Sequence, residues 1–160
     1  MAAKFKQGNV SVVRATLEHA EYIGANLRAE DRAEIWASHH KTGPEALPDV
    51  WKRSDVCLTV LYKGVPAAMF GAVPFTLLAG AGPWALGTDD VDKIKLIYAR
   101  YSREFVELML LKYSYLLNYA DARNKVAIDW LRFCGFVLDE ARPYGPDNVL
   151  FHRFTMIRKG

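Results

Sequence analysis

The sequence predicts an α/β (α+β) fold: a mixed, mostly antiparallel central sheet flanked by helices, in the order β-α-α-β-β-β-α-β-α-β-β. Three observations carry this prediction. Short β-branched runs at residues 10–16 and 56–62 alternate with stretches whose apolar residues recur at helical spacing. Lys63-Gly64 separates two apolar runs, which marks a hairpin. Residues 115–138 then read as strand, short loop, helix, glycine, strand. The chain has 160 residues, 51% of them hydrophobic and 24% charged, which suits a single domain spanning residues 1–160 and able to bury a core.

Taken in order, the alternating run 10–16 is the first strand, and Thr16 offers an N-cap oxygen to a helix over 17–28. Leu17, Ala20, Ile23, Gly24 and Leu27 lie at helical spacing within it. A second helix over 31–40 places Ala33, Trp36 and Ala37 on one face. Its His39 and His40 point about 100° apart, and no carboxylate or cysteine stands at ligand spacing, so they suit a helix end better than a metal site. Residues 41–55 contain Thr42-Gly43-Pro44 and Pro48 and read as a loop pinned by Trp51. The hairpin strands cover 56–62 and 65–73. A connector over 74–83 leads to a short strand at Trp84-Ala85-Leu86.

The segment 90–113 is helical in pattern, with Ile94, Ile97, Tyr98, Tyr101, Phe105, Leu108 and Met109 three and four residues apart. Residues 115–120 form a strand. Asn124 caps a helix whose apolar face is Ala127, Ile128, Leu131 and Cys134, and Gly135 stops it. An antiparallel pair, 136–142 and 149–157, closes the chain around the turn at 144–148.

The pattern N-x-x-A at Asn124 to Ala127, followed by G-F at Gly135-Phe136, resembles the C-terminal helix of the GNAT superfamily of N-acetyltransferases. The element order resembles that family across nearly the whole chain. The resemblance implies acetyl-CoA as cofactor and an amine as acceptor, with the cofactor pyrophosphate on backbone N–H groups at the start of the long helix. Leu86, Gly87 and Thr88 occupy that position here, but the family's glycine-rich motif is absent, and Asp89, Asp90 and Asp92 stand in its place. Each like-charge contact near 4 Å costs on the order of 1–4 kcal/mol. If the long helix instead begins nearer Leu96, then Lys93, Lys95, Arg100 and Arg103 approach the phosphate and hold it by side-chain charge. An exposed basic stripe is the alternative.

The family often places a tyrosine acid four residues before the glycine of G-F; Leu131 stands there, and no hydroxyl can act from it. Tyr119 and Tyr98 are the candidates to substitute, the alternative being core packing. Asn124 matches the asparagine that can hold the cofactor arm, while helix capping alone also explains it.

The passage 84–160, with W-x-L-x-T-D, L-L-K-Y-x-x-L-x-N-Y and the ending F-x-R-F-T-M-I-R-K-G, resembles small GNAT-like internal virion or tail-assembly proteins of short-tailed phages. This implies either an acetyltransferase acting on a host protein or metabolite, or a scaffold binding virion proteins or a host factor. The expected location is the cytoplasm of the infected cell, or the virion.

The net charge of +3, from 21 basic and 18 acidic residues scattered along the chain, does not point to nucleic acid. Cys57 and Cys134 sit in apolar runs, as buried reduced thiols do. Residues 1–8 lack an apolar segment of the secretory type. The longest apolar passage, 65–86, is broken by Pro66, Gly71, Pro74, Gly80, Gly82 and Pro83, which argues against a membrane span.

Overall fold

The computed structural model describes residues 5–77 and 79–160. Its elements are β1 (Phe5–Gln7), β2 (Val10–Arg14), α1 (Leu17–Ala25), α2 (Ala29–His39), α3 (Gly43–Arg53), β3 (Val56–Tyr62), β4 (Val65–Pro74) and β5 (Gly80–Gly87). They continue with α4 (Val91–Lys112), β6 (Tyr115–Asp121), α5 (Lys125–Cys134), β7 (Val137–Leu138), β8 (Arg142–Tyr144) and β9 (Val149–Ile157). One sheet runs in the order β1-β2-β3-β4-β5-β6-β9-β7, with β8 also paired to β9. Every pairing is antiparallel except that of β5 with β6. The expected fold class is therefore the observed one.

The central strand β4 is buried on both faces, and its side chains alternate between two cores. Phe70 and Ala72 join Val60, Phe105, Met109, Leu116 and Leu131 under α4 and α5. Met69 faces the other way, onto Ala20, Ile23, Ile35 and Leu47 from α1, α2 and α3. The two layers of helices thus cover opposite sides of one sheet.

The capping expectations hold. The Thr16 hydroxyl accepts the His19 N–H at 3.2 Å, and the Asn124 side-chain Oδ1 accepts the Ala127 N–H at 3.3 Å. Gly135 ends α5 in the left-handed region, at φ +98°, as a glycine stop does.

Several boundaries differ from the sequence reading. The expected loop at 41–55 contains the helix α3, despite Pro48. Glu45 reaches back to accept from both the Thr42 N–H (3.2 Å) and the Thr42 hydroxyl (2.8 Å), and the fully buried Leu47 anchors the helix against α1. The strand expected at 84–86 begins earlier, at Gly80, because pairing with β4 extends to Pro74↔Ala81. The long helix begins at Val91, not near Leu96. An added strand, β1, precedes the first expected one, and the segment 136–142 divides into β7 and the start of β8. The helix read over 17–28 ends at Ala25, and the next begins at Ala29.

Candidate functional site

Among the described residues, the one parallel pairing in the sheet is also a short one. β5 and β6 pair only at Gly80↔Tyr115 and Ala81↔Leu116, then diverge, although each runs on for five or six residues. Backbone groups along the gap therefore lack a strand partner. At its narrow end Asn118 bridges the strands: its Nδ2 donates to the Pro83 carbonyl at 2.9 Å and its Oδ1 accepts the Tyr119 N–H at 2.9 Å. Pro83 is tolerated because its nitrogen faces this gap, where no ladder bond is needed.

The direction of the next groups on β5 follows from alternation in an antiparallel ladder. Thr88 N–H donates back toward β4, to the Ala67 carbonyl at 2.9 Å. Gly87 turns the other way: its N–H donates to Asp31 Oδ2 at 2.9 Å, and its carbonyl accepts from the Arg28 N–H at 2.9 Å. Ala85, two residues earlier, consequently presents its N–H and carbonyl to the gap.

The gap opens into a cavity of about 790 Å³, a volume typical of small-molecule sites. Its walls are largely aromatic, including Phe75, Trp84, Tyr98, Tyr119, Trp130 and Phe136. Tyr98 on α4 stacks on Trp130 of α5 with centroids 5.9 Å apart, and Tyr119 stacks on Tyr144 at 4.3 Å. The Trp130 Nε1 is buried and has no acceptor among the described residues.

One side of the cavity is polar. Arg28 and Asp31 are buried and paired at 2.8 Å, and Asn124, also buried, joins them. The Asn124 Oδ1 accepts from Arg28 at 3.2 Å, and its Nδ2 donates to Asp31 at 3.0 Å and to Glu34 Oε2 at 2.7 Å. Burial pushes the Asp31 carboxyl up, against the opposing pull of Arg28, Gly87 N–H and Asn124. Burial also pushes the half-buried Glu34 carboxyl up to about 8; the Asn124 amide opposes the shift, and the charges of Asp31 and Asp121 add to it. A carboxyl poised near neutral pH therefore lines the cavity, as a general base does.

Of the residues singled out in the sequence, the structure brings Leu86, Gly87, Tyr98 and Tyr119 to the cavity. Asn124 is buried behind the polar wall, outside the cavity lining, with its amide already engaged by four partners. Thr88, next to Gly87 in sequence, is buried and turns toward β4. The start of α4 at Val91 leaves Lys93, Lys95 and Arg100 exposed on the helix and outside the cavity lining. Lys93 instead pairs with Asp90 at 3.0 Å. Burial raises the Tyr98 phenol far above its ordinary value, so it holds its proton.

Arg28, Asp31, Glu34, Ala85 and Trp130 escaped the sequence reading as site residues. The one available signal was the i, i+3, i+6 spacing of Arg28, Asp31 and Glu34, which places them along one side of α2. Only the sheet shows that this side faces inward.

With acetyl-CoA as the implied cofactor, the residues present fit one part and not another. The diverging strands, the open Ala85 edge and the apolar walls suit an extended thioester arm. The start of α4 does not suit a diphosphate: Thr88 takes up the Asp90 N–H on its hydroxyl (3.2 Å) and the Val91 N–H on its carbonyl (3.1 Å). Asp89 and Asp92 are exposed at that same turn.

Solved structures with this architecture are GNAT-family acetyltransferases and their relatives. The ribosomal-protein-S5-alanine acetyltransferase from Vibrio fischeri superposes with a TM-score of 0.69 at 14% identity, over 97% of this chain and 96% of that one. A GNAT-family acetyltransferase from Bacillus anthracis gives 0.68 at 7% identity, over 97% and 98%. The Salmonella typhimurium protein yncA, solved with its cofactor acetyl-CoA, gives 0.68 at 10% identity, over 95% of each chain. The chain matches no protein-family model and no curated protein. The fold is therefore GNAT-like over the 95–97% of the chain that these structures cover.

Proposed function

We propose that the protein is an N-acyltransferase that passes an acyl group from a thioester in the wedge to an amine. The observation that carries this reading is the Glu34 carboxyl, raised to about 8, in the cavity beside two diverging parallel strands. The bound thioester supplies the activated acyl carbon. Glu34, as carboxylate, takes the proton from the amine as its nitrogen bonds that carbon. The Tyr119 hydroxyl is the proton donor to the departing sulfur, since it lines the cavity while the Tyr98 phenol is held protonated by burial. The acetyltransferases solved in the same fold support the reaction class. The acceptor is an amine of a host protein or metabolite, and the chain is phage-encoded.

The test is thiol release from acetyl-CoA and acetyl-pantetheine against a panel of primary amines, with calorimetric titration of each thioester. Amine-dependent release that falls about 10²–10⁴-fold in Glu34→Gln is expected. No release with any amine, and no heat up to millimolar thioester, overturns the reading.

A second reading rests on a different observation: Gly87 and Asn124 spend their polar groups inside the protein, and the α4 turn is acidic. Here the fold serves as a scaffold within the virion or on a host factor. Detection of the chain in purified virions favours it, and absence both from virions and from complexes with host protein counts against it.

A further inference from the structure

Three features of the wedge agree about what it excludes. The first is where its open edge stops. Ala85 presents free backbone groups to the gap, but at Gly87 both groups are taken by the start of α2, the N–H by Asp31 in its first turn and the carbonyl by the N–H of its cap residue Arg28. The Val91 side chain also lies against Gly87, where an added Cβ would collide with it. A ligand arm laid along β5 therefore meets a closed edge before it reaches α4.

The second is the turn itself. A helix start binds anions through N–H groups left without partners. Here Thr88 turns the Asp90 and Val91 amides inward, and the Asp90 carbonyl accepts the Lys93 N–H at 3.0 Å. The third is charge. Asp89, Asp90 and Asp92 surround the position, and Lys93, paired to Asp90, offsets only one of them. The basic residues Lys95 and Arg100 are exposed on α4 and do not line the cavity.

Resting on the transferase reading, we infer that the wedge takes an acyl-pantetheine thioester bearing no nucleoside diphosphate, and selects against the corresponding CoA thioester. The arm's amides bond the Ala85 edge as an added strand would. The arm ends where the edge closes. A free thioester and one tethered to a carrier protein share this chemistry.

The experiment is calorimetric titration of the full chain with acetyl-pantetheine and with acetyl-CoA, at low and at high salt. Acetyl-pantetheine is expected to bind about tenfold or more tighter, and acetyl-CoA to gain affinity as salt screens the repulsion. The double variant Asp89→Asn/Asp92→Asn changes two exposed side chains. It is expected to tighten acetyl-CoA about tenfold and leave acetyl-pantetheine unchanged. An acetylated carrier protein as a third ligand assigns the source: tighter binding than acetyl-pantetheine names the carrier, weaker binding the free thioester. Tighter binding of acetyl-CoA by the wild-type chain, or an unchanged ratio in the double variant, overturns the inference while leaving the transferase reading intact. Absence of heat from every thioester overturns both.

Discussion

At the scale of single residues the wedge turns on Glu34. Its raised carboxyl makes protonation favourable in the folded state, so its contribution to folding stability is greatest below the ordinary glutamate range, falls as pH rises from there, and is lost above about 8. The folded protein binds a proton there that the unfolded chain has released. Glu34→Gln keeps the side chain's size and removes the titration. Its stability measured by urea unfolding is expected to stay flatter than wild type between pH 5 and 8.5, while wild type loses a few kcal/mol. Equal slopes would mean that the carboxyl titrates normally. If Glu34 is also the base, the wild-type rate rises with pH to a plateau above about 8, and Glu34→Gln loses that limb. None of this was legible in the sequence. A glutamate on a helix reads as solvent-facing by default, and the shift comes first from burial and then from the charges of Asp31 and Asp121, against the Asn124 amide; Asp121 and Asn124 lie about 90 residues away.

At the scale of elements, what the sequence announced and what it concealed divide along clear physical lines. The β-branched runs of β2 and β3, the caps at Thr16 and Asn124 and the glycine stop at Gly135 are local signals, and each has its expected structure. Helix α3 was hidden because Pro48 and Gly43-Pro44 are local breakers, while its support is tertiary. Strand β5 was read too short because Gly80-Ala81-Gly82-Pro83 has poor strand propensity, and pairing with β4 overrides it. Gly43 shows the tertiary origin of α3 most directly, since α1 and α3 touch backbone to backbone there. A Cβ on Gly24 would lie 2.7 Å from the Gly43 carbonyl oxygen, and one on Gly43 would lie closer still to that of Gly24. Alanine in a helix normally gains up to about 1 kcal/mol over glycine. At these two positions overpacking reverses the sign, and Gly24→Ala and Gly43→Ala are each expected to destabilise by about 1–3 kcal/mol. A raised denaturation midpoint in either variant would show that the helices part easily, and that α3 does not depend on this contact.

At the scale of the whole molecule, the wedge exists because a continuous sheet is held rigidly on both sides of one short pairing. Eight strands lie in a single path, and β4 contributes Phe70 to one core and Met69 to the other, so neither helical layer has a sheet of its own. This predicts a single cooperative unit. Phe70 lies 4.7 Å from Phe105 and 6.0 Å from Tyr98, ring centre to ring centre, in edge-on contacts. Phe70→Ala is expected to cost about 3–5 kcal/mol, a large share of the stability of a domain this size. The consequence should also cross the sheet. Trp51 and Trp84 pack on the α1–α3 side, so in a Trp36→Phe/Trp130→Phe background, which removes the two other tryptophans, the fluorescence reports the face opposite the deletion. In Phe70→Ala the tryptophan transition and the far-ultraviolet circular dichroism transition are expected to move together to lower denaturant. If the tryptophan transition stays at its wild-type midpoint, the two helical layers unfold independently. The sheet could then no longer be treated as the rigid frame that keeps β5 and β6 apart.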